Sequence, residues 1–148
     1  MLKKHFFFMI LIAAASSAAG YFGLTVPKEL LSTLFTVNSI MFSLGLGLIV
    51  SFNMSGIKNK EYIKIIRANI ITVKNTFMLL FTLSVCFFII NSVYDVPTCT
   101  SLFEAKFCIS MPIATLFVII YSSIYFVINF VEIQKLNDSI FDRLLDEE

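Results

Sequence analysis

The sequence predicts an all-α membrane protein, a four-transmembrane-helix bundle whose helices 3 and 4 extend into the cytosol. Three observations predict it. The 148 residues are 58% hydrophobic and only 14% charged, whereas soluble domains are about 45–50% apolar and about 25% charged. Seventeen residues are Phe, and a short soluble fold cannot bury that much apolar surface. The charges cluster in connecting segments, leaving apolar stretches close to the roughly 20 residues that cross a bilayer as a helix.

Four stretches are predicted to span, at about 6–24, 31–52, 70–93 and 112–131. The third is free of charge from Phe77 to Val93, "FMLLFTLSVCFFIINSV". Backbone in lipid must satisfy its own amide groups, so these runs read as helices, and their lack of alternation excludes barrel strands. No Gly/Ser linker or repeat divides the chain, so residues 1–148 form one domain with an acidic amphipathic tail at 132–148. The start, "MLKKH" followed by apolar residues and "ASSAAG", also has the form of a secretory signal peptide with cleavage near Ala18 or Ala19. It is taken as the first span.

Orientation follows from the lysines and arginines. With both termini cytosolic, the inner side carries Lys3, Lys4, Lys58, Lys60, Lys64, Arg67, Lys74, Lys135 and Arg143, and the outer side Lys28 and Lys106. Within the inner connector, Lys60, Lys64, Arg67 and Lys74 share one helix face, and Tyr62, Ile65, Ile66, Ile70 and Val73 lie opposite. The tail repeats the pattern: Ile133, Leu136, Ile140 and Leu144 form an apolar stripe, with Asp138, Asp142, Asp146, Glu147 and Glu148 supplying acid. Lys60, Lys64, Arg67, Ile133, Leu136, Asp138, Ile140, Asp142 and Leu144 are therefore the candidate interface for a partner or a second copy. The alternative is that the basic residues contact anionic lipid headgroups.

Cys99 and Cys108 enclose eight residues of the outer segment 91–112, where a disulfide is the expected state. A metal site is not expected, because the lone His5 lies on the other side. Cys86 reads as a small buried hydrophobe. Thr36, Ser39, Ser43, Gly47 and Ser51, spaced three or four apart in the second span, suit close helix packing or the lining of a narrow wet path. Ala15 with Ala19, and Ser16 with Gly20, repeat the small-residue spacing in the first span. No Asp, Glu, His, Lys or Arg lies in the apolar runs 6–24, 31–52, 77–93 and 112–131, which argues against a coupled carrier. No catalytic motif appears, so neither an enzyme nor a cofactor is expected. Direct nucleic-acid binding is not expected either, since the basic stripe lies against the membrane with only Tyr62 as aromatic company.

Four spans, short loops, a charged inner segment "KNKEYIKIIRANIITVK" and the late "FVEIQKLND" resemble small bacterial membrane proteins of phage defence and exclusion. The layout is similar to that of the Kiwa membrane subunit, KwaA, and of RexB-type exclusion proteins. The first resemblance implies a homo-oligomeric sensor in the bacterial inner membrane that recruits a cytosolic, DNA-binding partner. The second implies a depolarising, ion-conducting pore. Bacteriocin-immunity proteins and holins share the coarse layout. The expected function is a sensor and scaffold that oligomerises and recruits a cytosolic partner; the alternatives are a pore or an immunity protein.

Overall fold

The computed structural model describes residues 2–51, 60–93, 98–102 and 105–146; of these, the side chains of 2–4, 62, 98–102, 105–109 and 141–146 fall outside the description. In order, the elements are α1 (Leu2–Tyr21), α2 (Lys28–Ser51), α3 (Lys60–Val93), β1 (Thr98–Leu102), β2 (Ala105–Ile109) and α4 (Met111–Asp146). The described chain is therefore helical apart from one short hairpin. Three helices, α2, α3 and α4, contain runs long and apolar enough to cross a membrane, and the apolar stretch His5–Tyr21 of α1 is shorter. The helical extensions expected beyond the third and fourth spans are present in α3 and α4.

Large apolar side chains lie on the outside, while several polar ones are buried beside an aliphatic and aromatic core. Ser16, Asn38, Ser84, Thr115 and Ser122 are buried, while Phe6, Ile40, Leu44, Val50, Ile124 and Ile128 are exposed. An aqueous surface would be costly for so many large apolar side chains, and hydrocarbon removes that cost.

The chain forms two compact units. Unit 1 comprises Met1–Val37 and Thr82–Tyr121; unit 2 comprises Asn38–Phe81 and Ser122–Glu148.

In unit 1, α1 buries Ile12, Ser16 and Ala19, which follow one another at helical spacing on one face. Its C-terminus is closed by Gly23, at φ 64°. The Leu24 amide donates to the Ala19 carbonyl and the Gly23 amide to that of Gly20. This paired arrangement needs a left-handed residue at Gly23, which a side chain would strain. The helix α1 lies beside β2 and antiparallel to the start of α4. The Ser110 amide donates to the Ser16 carbonyl (3.3 Å), the Ser110 hydroxyl to the Leu24 carbonyl (3.4 Å), and the Phe8 ring stacks on Tyr121 at 4.6 Å. His5 Nδ1 and the Tyr121 hydroxyl are hydrogen-bonded at 2.7 Å. Because α1 divides its length between the hairpin and α4, His5 sits level with the middle of the apolar run 112–131. The register differs from the full first span expected over 6–24.

The outer segment is the second difference. It was expected as a loop, yet it pairs as an antiparallel ladder from Thr98↔Ile109 to Leu102↔Ala105, with Cys99 opposite Cys108. Elsewhere in unit 1, Phe35 of α2 stacks on Phe88 of α3 at 4.3 Å. The Thr115 hydroxyl, fully buried, is within bonding distance of the Phe87 carbonyl at 3.2 Å and the Met111 carbonyl at 2.9 Å.

Unit 2 is held by rings and aliphatics. Phe42 stacks on Phe81 at 4.0 Å, and Phe77 meets Phe126 at 5.4 Å. At Gly45 the helices approach closely: a Cβ there would overlap the Phe126 ring and lie 2.9 Å from the Phe77 ring, whereas one at Gly47 would meet nothing within 4 Å. Gly45→Ala is therefore expected to lower the melting temperature of detergent-purified protein, at a cost of about 1–3 kcal/mol from overpacking. Gly47→Ala is expected to be neutral or slightly stabilising, since Ala is the better helix former by about 1 kcal/mol. Equal melting of the two variants would show that the ring contact at Gly45 is not made.

Candidate functional site

The charged connector lies on the first turns of α3. Lys60, Lys64, Arg67 and Lys74 are exposed, while Ile66 and Ile70 beside them are buried. The same alternation shapes the end of α4. Ile133 and Ile140 are buried, Leu136 is half-buried against the same cluster, and Glu132, Lys135 and Asp138 are exposed. Ile66, Ile70, Ile133 and Ile140 belong to one hydrophobic cluster, which continues through Phe77 and Phe126. The described part of the tail's apolar stripe, Ile133, Leu136 and Ile140, is therefore packed in the cluster that holds Ile66 and Ile70 of α3. Of the residues expected at a partner interface, Lys60, Lys64, Arg67 and Asp138 face outward, whereas Ile133, Leu136 and Ile140 hold the two helices together. Asp142 and Leu144 lie on α4, with side chains outside the described residues.

The α2 stripe faces outward. Thr36, Ser43, Gly47 and Ser51 are exposed and Ser39 is half-buried. Three of the hydroxyls donate to carbonyls of their own helix: Thr36 to Ser32 (2.9 Å), Ser43 to Ser39 (3.1 Å) and Ser51 to Leu48 (3.0 Å). Such bonds let a hydroxyl face lipid without losing its donor partner. The close-packing glycine of α2 is Gly45, which is not one of the stripe residues.

A polar contact lies on the buried side of α2. The Ser123 hydroxyl donates to Asn38 Oδ1 at 3.2 Å, and Asn38, 3% exposed, keeps its Nδ2 buried without a partner. Asn38 lines a small cavity of about 10 Å³ with Phe42, Phe77, Ser122 and Phe126, about the room a single water needs. Two Asn–Ser positions so far apart in sequence, 38 and 123, give no local signal.

The hairpin sets Cys99 and Cys108 directly opposite in the ladder, and their side chains lie outside the described residues. With two residues between the closing pair Leu102↔Ala105, the pairs alternate outward, which puts Cys99↔Cys108 in a non-hydrogen-bonded position. There Cα atoms stand about 4.5 Å apart, within the range a disulfide bridges. Cys86 is an exposed free thiol, not the buried hydrophobe expected. Among the described residues no cluster of His, Cys, Asp and Glu could hold a metal ion.

No protein-family model, curated protein or solved structure matches this chain.

Proposed function

We propose that the chain is a non-enzymatic membrane scaffold. It is anchored by α2, α3 and α4, and it presents a rigid, charged two-helix projection to a cytosolic partner. One observation carries the reading: the aliphatic stripes at the start of α3 and the end of α4 share one buried cluster, so their charged faces are turned outward. At 1.5 Å per residue, the 34 residues of α3 and 36 of α4 are about 51 and 54 Å long. Hydrocarbon accounts for about 30 Å, leaving about 20 Å of paired helix outside. Positive-inside bias puts that end in the cytosol. Anti-phage defence remains the setting suggested by the layout, with the outer hairpin as the part exposed to an insult at the envelope.

Because the aliphatics are used within the chain, partner docking rests on charge and is sensitive to salt. Recovery of a cytosolic partner with the tagged protein is expected at low salt and not at high salt. Lys64→Glu with Arg67→Glu should abolish it while leaving melting unchanged. Ile140→Asp should instead lower melting, by burying a charge in the aliphatic cluster. Partner recovery that survives both high salt and the double reversal would rule the charged face out.

The scaffold self-associates, on this reading, through the outward α2 stripe, where Gly47 leaves open space. Gly47→Leu should abolish cross-linked oligomers in membranes, and oligomers that persist in that variant would exclude this face. A pore would reuse the same stripe, and ion leak from liposomes that Gly47→Leu abolishes would select that alternative.

A cross-strand disulfide braces the outer hairpin. In unreduced, denatured protein a thiol reagent should label Cys86 alone, and Cys86→Ser should leave no reactive thiol. Three reactive thiols before reduction would remove the brace.

A further inference from the structure

At one end of unit 1, where α1 turns into α2 and α4 begins, lies a cavity of about 160 Å³. Gly20 and Gly23 line it from the α1 cap, Lys28 from the first turn of α2, Asn91 from the last turn of α3, and Ser110 and Pro112 from the start of α4. Asn91 is only 8% exposed, and its Oδ1 is buried with no hydrogen-bond partner. A buried amide oxygen without a donor is unfavourable, so the site calls for a ligand that donates. Leu24, Val26 and Leu31 make part of the wall apolar, and another part favours a ligand of negative charge. Two helices, α2 and α4, begin at the cavity; the opening turns of helices carry amides with no partner inside the helix and a positive dipole end. Lys28 adds a formal charge beside them.

One ligand chemistry answers both demands: a zwitterion whose ammonium bears N–H groups and whose other end is an oxyanion. We propose that this cavity holds the headgroup of an aminophospholipid, its ammonium donating to Asn91 Oδ1 and its phosphate lying at Lys28 and the opening turns of α2 and α4. The position favours a lipid over a free metabolite. The cavity lies where the apolar helices end, the level of headgroups. Large apolar side chains near it, Tyr21, Phe22, Leu24 and Leu30, are exposed and can accompany acyl chains. A choline headgroup has the same charges but no N–H, so it leaves Asn91 Oδ1 unsatisfied. The inference rests on the membrane reading of α2, α3 and α4 and not on the scaffold reading.

The test is native mass spectrometry of the delipidated full-length chain in detergent. Phosphatidylethanolamine, phosphatidylcholine and phosphatidylglycerol of matched acyl chains are titrated separately, along with soluble phosphoethanolamine. Phosphatidylethanolamine is expected to bind about tenfold more tightly than phosphatidylcholine, the scale of one added hydrogen bond to a charged donor. Asn91→Leu should erase that preference. Asn91→Asp, which keeps an acceptor oxygen, should preserve or strengthen it, so a folding defect in the first variant does not decide the outcome. Lys28→Gln should weaken phosphatidylethanolamine and phosphatidylglycerol alike. Equal retention of the ethanolamine and choline lipids by the wild-type chain would overturn the proposal and assign the cavity to water. Tight binding of phosphoethanolamine without any lipid preference would overturn the lipid source in favour of a soluble zwitterion.

Discussion

Hydrocarbon offers no hydrogen-bond partner, and every polar group in the long helices has to be satisfied without water. The chain meets this mostly within each helix. Thr33, Thr36, Ser43, Thr72, Thr76 and Ser92 each donate to the carbonyl four residues earlier, and Asn129 does the same to Tyr125. Hydroxyls that solve the problem locally are free to face outward, because they need no partner outside their own helix. Thr115 and Ser123 differ, because their bonds reach α3 and α2. Interhelical bonds in membranes average about 0.6 kcal/mol. Filling the contact at Gly45 would cost about 1–3 kcal/mol. Shape at the Phe77–Phe126–Gly45 junction therefore outweighs the hydrogen bonds in fixing how these helices meet.

The same comparison applies to the helix ends. Exposed ion pairs contribute about 0–1 kcal/mol each, while burying an isoleucine is worth about 1.5–3 kcal/mol. Ile66, Ile70, Ile133 and Ile140 are all buried, so aliphatic contact holds the start of α3 to the end of α4. The opposite charges of the two segments are not needed for that pairing. They remain on the surface at Lys64, Arg67 and Asp138, where their energetics can be spent on lipid or a partner.

Helix positions were legible in the sequence because they depend on length and apolarity alone. α2, the end of α3 and the start of α4 lie within a few residues of the expected span limits, and α3 and α4 continue past the other limits as the extensions expected of them. The amphipathic ends of α3 and α4 were legible too, since water on one side restores the contrast between apolar and polar faces. Inside the spans that contrast vanishes: lipid and protein interior are equally apolar. Spacing therefore found the Thr36–Ser51 stripe but not its direction, and it could not choose Gly45 over Gly47 as the packing glycine. The hairpin was hidden for another reason. Its two strands are five residues each, and Phe103 and Glu104 between them carry none of the Asn or Gly that marks a tight turn. The cavity at Asn91 joins α1, α2, α3 and α4, and no local pattern encodes it.

The register of α1 bears on topology. His5 meets Tyr121, about ten residues into the apolar run of α4, so Lys3 and Lys4 precede a point level with the middle of that run. A lysine at mid-bilayer costs about 2.5–3.5 kcal/mol on insertion scales, and two of them oppose a full crossing by α1 in this register. The pairing of α1 with β2 supplies the compensating contact, since it draws the helix toward the hairpin end. The orientation proposed for the other three helices does not depend on how α1 is placed. Without Lys3 and Lys4, the side holding the α2–α3 connector and the tail still carries Lys58, Lys60, Lys64, Arg67, Lys74, Lys135 and Arg143, against Lys28 and Lys106 on the other. The excess of Lys and Arg is thus set by Lys58 and the first turns of α3, whose aliphatic residues Ile66 and Ile70 lie in the cluster shared with the end of α4. Charge for orientation and apolarity for pairing are carried on opposite faces of one helix, so neither has to be given up for the other.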